Sequence, residues 1–560
     1  MDAYQHLIED GPARLPLRPS QRVSEKAVRE AVAALPLANP AQAVSEAGQL
    51  LDGMLAAGGS GGERIAALAH LRAPVESLCR GIEQQLGGES HPLPPASAER
   101  AAMALRLQWQ MARNQAKGLH ELCAPAGKLP RFRGKLAAAA AVAALTHAYE
   151  ALVWSYRQYQ APQAGTWRLV HALYLFGCEL GIADLAVRQP LADGIPLSPR
   201  AAYLQALLLA LSNPYRFSLR ELKEAGGVIE CVAGQCGLMR ADRADGAGIH
   251  IDTDGDAGPG YVVEERPAAG LLVLDVGPAA RIFDERIALL PQGSDVVVLP
   301  QPGAGVVHTS AGFLRRLQAN WAPAERGHER LPARHALDLV IGMHALHYAL
   351  AGNQDFATFI RDVHGEAITV GRHELASSWL ASSDSARSRM FRGEVLDQSE
   401  GGYRIRLQES EGARLRIGEV IGLSPLTDVP EDRDWMVGVI RWLRLEDGHE
   451  WLGVELLNRT ARAAGVRPVS AEGESLVPQR AVELPGQAGE DGLALLVTNH
   501  FVRDVTAAEV VLPALASDWN GQASVGVWQC NGAEVLGNAC IRVNLVRDEP
   551  GTPGDPESAR

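Results

Sequence analysis

The sequence predicts a multidomain α+β protein, with an all-helical N-terminal half, a small mixed α/β middle domain, an antiparallel β-barrel and a C-terminal β module. Its 560 residues are several times the usual size of one domain. Apolar residues recur every three or four positions in the first half, and in short runs bounded by turn residues in the second. We therefore expect four domains, at residues 1–226, 227–325, 326–475 and 476–560.

Composition and charge exclude several classes of protein. A hydrophobic share of 47% and a charged share of 21% are those of a folded chain. The net charge of −13 disfavours a general nucleic-acid binder, because phosphates require a dense Lys/Arg surface. The seven cysteines are sparse and odd in number, which indicates a reducing compartment rather than a disulfide framework. The N-terminus has no basic start followed by an apolar run, so we expect a cytoplasmic protein.

The N-terminal half is predicted to be helical from about residue 20 to 220. Residues 136–154 are the longest apolar stretch, but they are mainly alanine and include His147 and Glu150, so we expect a packed helix and no membrane insertion. A helix over residues 201–212 should stop at Asn213 and Pro214. Ser218 and Glu221 form a Ser-x-x-Glu capping box that opens one more short helix.

The middle domain is predicted to begin at the Gly226-Gly227 break. Short β-rich runs follow, starting with residues 228–234, and they are separated by Gly, Pro and Asp clusters that favour turns. Helical periodicity returns briefly at residues 279–290, so a mixed sheet and helix unit is expected rather than a pure barrel.

Six strand-like runs between residues 336 and 457 have the spacing of a small antiparallel barrel. Gly401-Gly402 and Asp447-Gly448 lie between consecutive runs, where hairpins need flexible or left-handed backbone. Residues 476–491 are polar and rich in Gly, Pro and Glu, which predicts a linker before the C-terminal β module. Inspection reveals no internal repeat of fixed period.

The segment 391–407 contains Asp397, Ser399 and Gly402 in the pattern D-x-S-x-x-G. This pattern resembles the second-strand signature of PilZ domains, and residues 435–457 resemble the closing hairpin of the same family. A glycine at the turn lets the backbone approach a nucleotide, while short carboxylate and hydroxyl groups bond the guanine edge or orient arginines. The resemblance covers about residues 330–460 and implies a PilZ-like barrel that binds cyclic di-GMP.

The resemblance also implies an upstream R-x-x-x-R arm whose guanidiniums bind phosphate and stack on guanine. The best placed copy is Arg330 with Arg334, just before a strand-like run, although the pattern also occurs elsewhere, as at Arg326 with Arg330. Sixty-two residues separate Arg334 from Asp397, which implies an inserted, partly helical segment near 345–388. A rival source of positive charge adjoins the motif: Arg387, Arg389 and Arg392.

Three weaker patterns resemble parts of metal sites: Cys231 with Cys236, Asp252 with Asp254 and Asp256, and His344 with His347. Each lacks the further ligands that a zinc site or a calcium loop requires. Nucleophile-elbow, phosphate-loop and dinucleotide fingerprints are also missing from the sequence. We therefore expect no catalytic residues, no metal and no cofactor.

The sequence as a whole predicts a cytoplasmic regulator that responds to cyclic di-GMP and is not an enzyme. Its helical half would pass the signal to a protein partner, with residues 300–335 as a hinge. The alternative is a ligand-free scaffold or chaperone-like protein, in which Asp397 and Ser399 only stabilise a turn.

Overall fold

A computed structural model describes most of the chain. The described residues are 3–9, 22–88, 90–188, 195–244, 248–261, 266–303, 305–323, 329–364, 389–427, 433–470, 478–487, 492–498, 505–512, 524–537 and 540–547. The chain divides into two compact units. The first contains Met1–Glu89 and Leu93–Glu325, and the second contains Ser90–Pro92 and Arg326–Arg560. The four-domain division stays a prediction.

Helices dominate the first unit, as predicted. They are α1 (Ala3–Glu9), α2 (Glu25–Ala33), α3 (Pro40–Ala56), α4 (Gly61–Leu86), α5 (Pro95–Leu122), α6 (Gly134–Arg157), α7 (Thr166–Glu179), α8 (Pro199–Leu211), α9 (Leu219–Val232), α10 (Gly277–Ala288) and α11 (Ala311–Trp321). Helix α8 ends before Asn213, where the sequence placed its stop. The alanines of α6 are buried against α5, α7 and α8, because a small side chain lets neighbouring helix backbones approach closely.

Helix α6 is long and apolar enough to cross a membrane by length and composition alone. In the structure 72% of its apolar window is buried inside the protein, which agrees with the packed helix predicted from its composition. Its His147 lies in the core and bonds Gln108 of α5 through Nδ1 at 2.7 Å.

Helices α4 and α5 are joined by a buried ion pair. The Arg64 side chain is fully buried, and its Nε and Nη2 donate to the Glu121 carboxylate at 2.8 and 2.7 Å. Nη2 also donates to the Ala57 carbonyl at 2.7 Å. A buried guanidinium needs this density of partners, since desolvation of an unpaired charge costs several kcal/mol.

Helix α9 corrects one sequence expectation. The capping box of Ser218 and Glu221 is present, but the helix runs through Gly226 and Gly227 to Val232. Residues 228–234, predicted as a strand, are therefore mostly helix. Val228, Ile229 and Val232 are buried on one face of α9, and this packing outweighs both the strand preference of β-branched residues and the two glycines.

The strands of the first unit that the structure describes are β1 (Val187–Arg188), β2 (Pro196–Leu197), β3 (Gly237–Ala244), β4 (Ile249–Asp252), β5 (Gly260–Tyr261), β6 (Arg266–Asp275), β7 (Val296–Pro300) and β8 (Val306–Ser310). They form a sheet of order β3-β6-β4-β5 and the two-stranded sheets β1-β2 and β7-β8. With α10 and α11 they supply the predicted mixture of sheet and helix. Their buried side chains belong to the same core as those of α5 to α9.

The first barrel lies in the second unit. Its strands are β9 (Leu331–Ile341), β10 (Met390–Ser399), β11 (Gly402–Leu407), β12 (Val420–Pro425), β13 (Met436–Glu446) and β14 (His449–Asn458). They close in the order β10-β11-β14-β13-β12-β9. Asp447 and Gly448 both have positive φ, 51° and 76°, in the turn between β13 and β14 where the sequence placed a hairpin. The predicted insertion begins with α12 (Met343–Leu350) and α13 (Phe356–His364).

The second barrel follows after three residues. Its strands are β15 (Arg462–Ser470), β16 (Gln479–Glu483), β17 (Gly492–Thr498), β18 (Val505–Leu512), β19 (Ser524–Val535) and β20 (Cys540–Arg547), closed in the order β15-β16-β17-β20-β19-β18. The expectation of a linker at 476–491 was wrong, because β16 lies within it. Only Ala481 and Val482 of this strand are apolar, so its sequence does not stand out from its polar neighbours.

The two barrels share an apolar core. Leu346 of α12, Val437 and Val439 of the first barrel and Val482 and Leu496 of the second are fully buried in one cluster. The Arg441 Nη1 of β13 also donates to the Leu536 carbonyl of the second barrel at 2.5 Å. The tandem barrels thus pack directly on each other.

The three weak metal patterns have structural roles instead. Asp256 accepts hydrogen bonds from the backbone amides of Gly165 and Arg168 at 2.6 and 3.1 Å, which caps the start of α7. Burial raises the pKa of Cys231 to about 11 and that of Cys236 to about 12, so these thiols stay protonated. His347 is buried between Phe356 and Phe359. Among the described residues, no group of three or more His, Cys, Asp or Glu side chains has metal-site geometry.

Candidate functional site

The candidate site lies at the β10-β11 hairpin. Ser399 pairs with Gly402 across a two-residue loop, and both are the terminal residues of their strands. A Cβ on Gly402 would lie far inside contact distance of the Val454 carbonyl oxygen on β14. The glycine of the motif is therefore required by the close approach of β11 and β14.

A register shift between Val395 and Asp397 changes the direction of β10 just before the hairpin. This shift places Asp397 opposite Arg404 of β11 and opposite Pro332 of β9. Such irregularities re-aim side chains near functional sites. As a result Asp397 is flanked by strands that both carry arginines.

Asp397 is held by two guanidiniums. Arg330 Nη1 lies 2.5 Å from Asp397 Oδ1, and Arg404 Nη1 lies 3.7 Å from Oδ2. The Asp397 side chain is 20% exposed and that of Arg330 is 52% exposed. The pair therefore lies at the surface, where solvent and a ligand have access to it, and the arrangement brings together two of the predicted site residues.

Arg334 corrects the predicted arm. It was expected to precede the first strand, but β9 begins at Leu331, so Arg334 lies within the strand and only Arg330 precedes it. The Arg334 side chain is exposed, and in the described part of the chain no carboxylate is within ion-pair distance of it. The register shift between β9 and β10 falls at residues 333 and 334, because the step from Pro332 to His335 spans three residues of β9 but only two of β10.

Sequence reasoning missed two residues of the site, Arg404 and Trp451. The Arg404 guanidinium lies over the Trp451 ring, with its carbon 4.5 Å from the ring centre. The Arg404 Nε and the Trp451 Nε1 are buried and have no hydrogen-bond partner among the described residues. Counting outward from a two-residue hairpin loop pairs Asp397 with Arg404. The position of the turn in the sequence was therefore enough to predict that Arg404 lies beside Asp397. We call Arg330, Asp397, Arg404 and Trp451 the hairpin cluster.

The rival arginines lie elsewhere. Arg389 and Arg392 line a separate cavity of about 360 Å³ at the other end of β10, together with Asp338 and Arg433. Arg433 and Arg392 lie 3.2 and 3.7 Å from the buried Asp338 carboxylate. Arg387 is outside the described residues. Since Arg392 pairs with Asp338 and Asp397 with Pro332 along β9, the two positions are about 20 Å apart at ~3.3 Å per residue.

Comparison with known proteins matches most of the chain to one type of protein. Residues 26–242 match the family described as "Cyclic-di-GMP receptor FimW, N-terminal domain". Residues 250–390 and 372–463 match "Cyclic-di-GMP receptor FimW, middle PilZ domain". The chain is 24% identical over 378 residues to the cyclic-di-GMP receptor FimW of Pseudomonas aeruginosa, across 60% of this chain and 61% of that protein. The alignment thus spans less than two thirds of the length of that relative.

Proposed function

The chain carries a PilZ domain, and on that premise we propose that it is a receptor for cyclic di-GMP whose ligand site is the hairpin cluster with Arg334, Ser399 and Gly402. The observation that carries the proposal is the ion pair between Arg330 and Asp397 at the motif hairpin. It supports a site in which the arm and the motif act together. The relative's printed description as a cyclic-di-GMP receptor supports the same ligand.

The chemistry of the cluster suits a cyclic dinucleotide. Guanidiniums bind phosphate through two parallel hydrogen bonds, and two guanidiniums are available beside the motif, Arg330 just before β9 and Arg334 within it. A carboxylate accepts hydrogen bonds from the N–H groups of guanine, which is the role we assign to Asp397. Arg404, whose guanidinium carbon lies 4.5 Å from the centre of the Trp451 ring, offers a planar cation on which a guanine can stack.

Ligand binding requires an exchange of partners. The Arg330 guanidinium donates to Asp397, and a phosphate would compete with that carboxylate for the same guanidinium. Exposed ion pairs contribute only about 0–1 kcal/mol to stability, so breaking the pair between Arg330 and Asp397 costs little free energy. The free energy available for signalling is then the difference in ligand affinity between the two positions of the arm.

The output route that we propose runs through residues 300–335 to the helical unit, which would contact a protein partner. Arg330 lies within this segment, so a ligand that moves its side chain acts directly on the connection. Binding, rather than catalysis, is the activity assigned to the chain.

Isothermal titration of the full chain with cyclic di-GMP tests the proposal. The wild type should bind, and Arg330→Ala, Arg334→Ala and Asp397→Asn should each weaken binding at least tenfold. Arg542→Ala is the matched control, because Arg542 pairs with Glu534 on the second barrel, away from the motif. Absence of binding in the wild type would leave the scaffold alternative. Binding unchanged in all three site variants would instead assign the ligand to Arg389 and Arg392.

A further inference from the structure

The two barrels have the same topology. When the strands of each barrel are numbered one to six along the chain, both close in the order 1-2-3-6-5-4. The matched middle PilZ domain ends at residue 463, so the second barrel lies beyond it. The repeat is invisible in the sequence because loop lengths and side chains differ, while the pairing of the strands is kept.

The repeat extends to one ion pair. In the first barrel Arg330, just before strand one, pairs with Asp397 near the end of strand two. In the second barrel Arg462, the first residue of strand one, pairs with Glu483, the last residue of strand two, at 2.5 Å. The Glu483 side chain is only 6% exposed, so solvent and a ligand have little access to its carboxylate. Arg459, Thr460 and Ala461 precede strand one of the second barrel, as Arg330 precedes strand one of the first, and Arg459 and Thr460 are exposed.

Those residues line a cavity. Arg459, Thr460 and Ala461 border a space of about 410 Å³, whose opposite wall is Arg433, Asp434 and Trp435 of the first barrel. Asn353, which follows α12, also lines it. This volume is within the range of about 300–1,000 Å³ typical of small-molecule sites. Trp435 and Ala461 of the lining also belong to the apolar core that the barrels share.

The lining offers complementary groups for one kind of ligand. Arg433 is fixed by its ion pair with Asp338 at 3.2 Å, while in the described part of the chain the exposed Arg459 guanidinium has no carboxylate within 4 Å. Two guanidiniums at one cavity favour a phosphate group. The Asp434 carboxylate repels a bare anion but accepts hydrogen bonds from N–H donors, and Trp435, which is 8% exposed, is the aromatic side chain of the lining. A ligand with a phosphate, a planar ring and N–H donors satisfies all of them.

We propose that the cavity lined by residues 459–461, which connect β14 to β15, and by Arg433, Asp434 and Trp435, which precede β13, is a second binding site, distinct from the hairpin cluster, for a nucleoside monophosphate. Arg459 and Arg433 bind its phosphate, Asp434 accepts from the base or the ribose, and Trp435 contacts the ring. The proposal does not depend on cyclic di-GMP binding at the hairpin, because the two sites share no residue.

Titration of the full chain with GMP and with AMP tests this site. The wild type should bind at least one of them, and Arg459→Ala should weaken that binding at least tenfold. Arg459 is exposed at a connection between strands, so its loss should leave the fold intact, which thermal unfolding checks. Arg542→Ala should bind the nucleotide as the wild type does.

Arg330→Ala separates the two sites. It disables the proposed hairpin site, so nucleotide binding that persists in Arg330→Ala and is lost in Arg459→Ala supports the cavity. The proposal is overturned if neither nucleotide binds at millimolar concentration. It is equally overturned if Arg459→Ala binds as tightly as the wild type, or if Arg330→Ala alone abolishes binding.

Discussion

At the scale of single residues, the arginines of this chain differ in function according to their surroundings. Arg64 is buried and bonded on several sides, Arg330 is exposed with one carboxylate partner, and Arg334 and Arg459 are exposed without an ion-pair partner in the described part of the chain. Burial with full pairing indicates a structural role, whereas exposed guanidiniums near an aromatic ring or a glycine turn are available to a ligand. The R-x-x-x-R spacing alone did not separate these cases.

Arg64→Ala should strongly destabilise the helical unit. The substitution leaves Glu121 as a partly buried carboxylate without its cation, which costs about 3–5 kcal/mol. Thermal unfolding followed by circular dichroism at 222 nm measures it. Arg106→Ala removes an exposed pair with Asp52 and should cost less than about 1 kcal/mol. Equal losses in the two variants would contradict the buried role of Arg64.

Glu150 should make the helical unit less stable as the pH rises. Burial raises the pKa of Glu150 to about 7, with Glu83 and Glu230 adding to the increase and Arg157 opposing it. The protonated form is thus favoured in the folded state. Its stabilisation is fully present below about pH 4.5 and is lost as the pH rises through 7, by at most about 3 kcal/mol.

The variant Glu150→Gln tests this dependence, because an amide has no charge to desolvate. We expect it to raise the melting temperature at pH 8 and to leave it unchanged at pH 4. A variant that melts below the wild type at pH 8 would mean that the charged carboxylate stabilises the fold through Arg157.

At the scale of elements, the β10-β11 hairpin determines the site. Gly402 lets β11 approach β14, and the register shift at Asp397 turns the carboxylate towards Arg330 and Arg404. Glu455 of β14 lies opposite Gly402 and binds Arg441 Nε at 2.6 Å. The hairpin is therefore linked through β14 to the contact with the second barrel at Leu536.

Gly402→Ala should damage both stability and binding. An added methyl group meets the Val454 carbonyl, so β11 must separate from β14, at a cost of about 2–3 kcal/mol. We expect a lower melting temperature and at least tenfold weaker binding of cyclic di-GMP. Gly448→Ala is the comparison at the other hairpin: its Cβ meets no atom within 4 Å but requires positive φ. It should destabilise the barrel with little effect on affinity.

The sequence predicted the strands of the first barrel and the position of Asp397, but it missed the start of β9, the continuation of α9 and strand β16. Alternating apolar residues and glycine turns located β9 to β14, and the motif located Asp397, because these are local signals. The start of β9 at Leu331 was missed since Leu-Pro-Ala-Arg is not a strand-like run. The continuation of α9 through two glycines and the strand β16 depend on packing partners distant in sequence, which periodicity does not detect.

At the scale of the whole molecule, the chain combines a helical unit with a pair of barrels of one topology. The proposed ligand site lies in the first barrel, and the proposed output is through the helical unit. Residues 300–335 include β8 and α11 of the first unit, and Arg330 follows the boundary between the units at Glu325 and Arg326. Ligand binding should therefore alter the exchange of backbone amides in this segment.

Hydrogen exchange of the full chain measures this coupling. Saturating cyclic di-GMP should slow exchange at residues 329–335, and Arg330→Ala should remove the effect at the same ligand concentration. Peptides from the core of α6, which are buried with or without ligand, provide the internal reference. Unchanged exchange throughout 300–335, at a concentration where titration proves binding, would refute the hinge.

Ultraviolet cross-linking of radiolabelled cyclic di-GMP to the full chain tests whether the motif hairpin binds this ligand. Mass spectrometry of the labelled peptides should identify residues 390–407 or 449–458, with labelling suppressed by excess unlabelled ligand and absent in Asp397→Asn. Labelling confined to peptides that contain Arg389 or Arg433 but no residue of the hairpin, or labelling that unlabelled ligand does not suppress, would contradict binding at the hairpin.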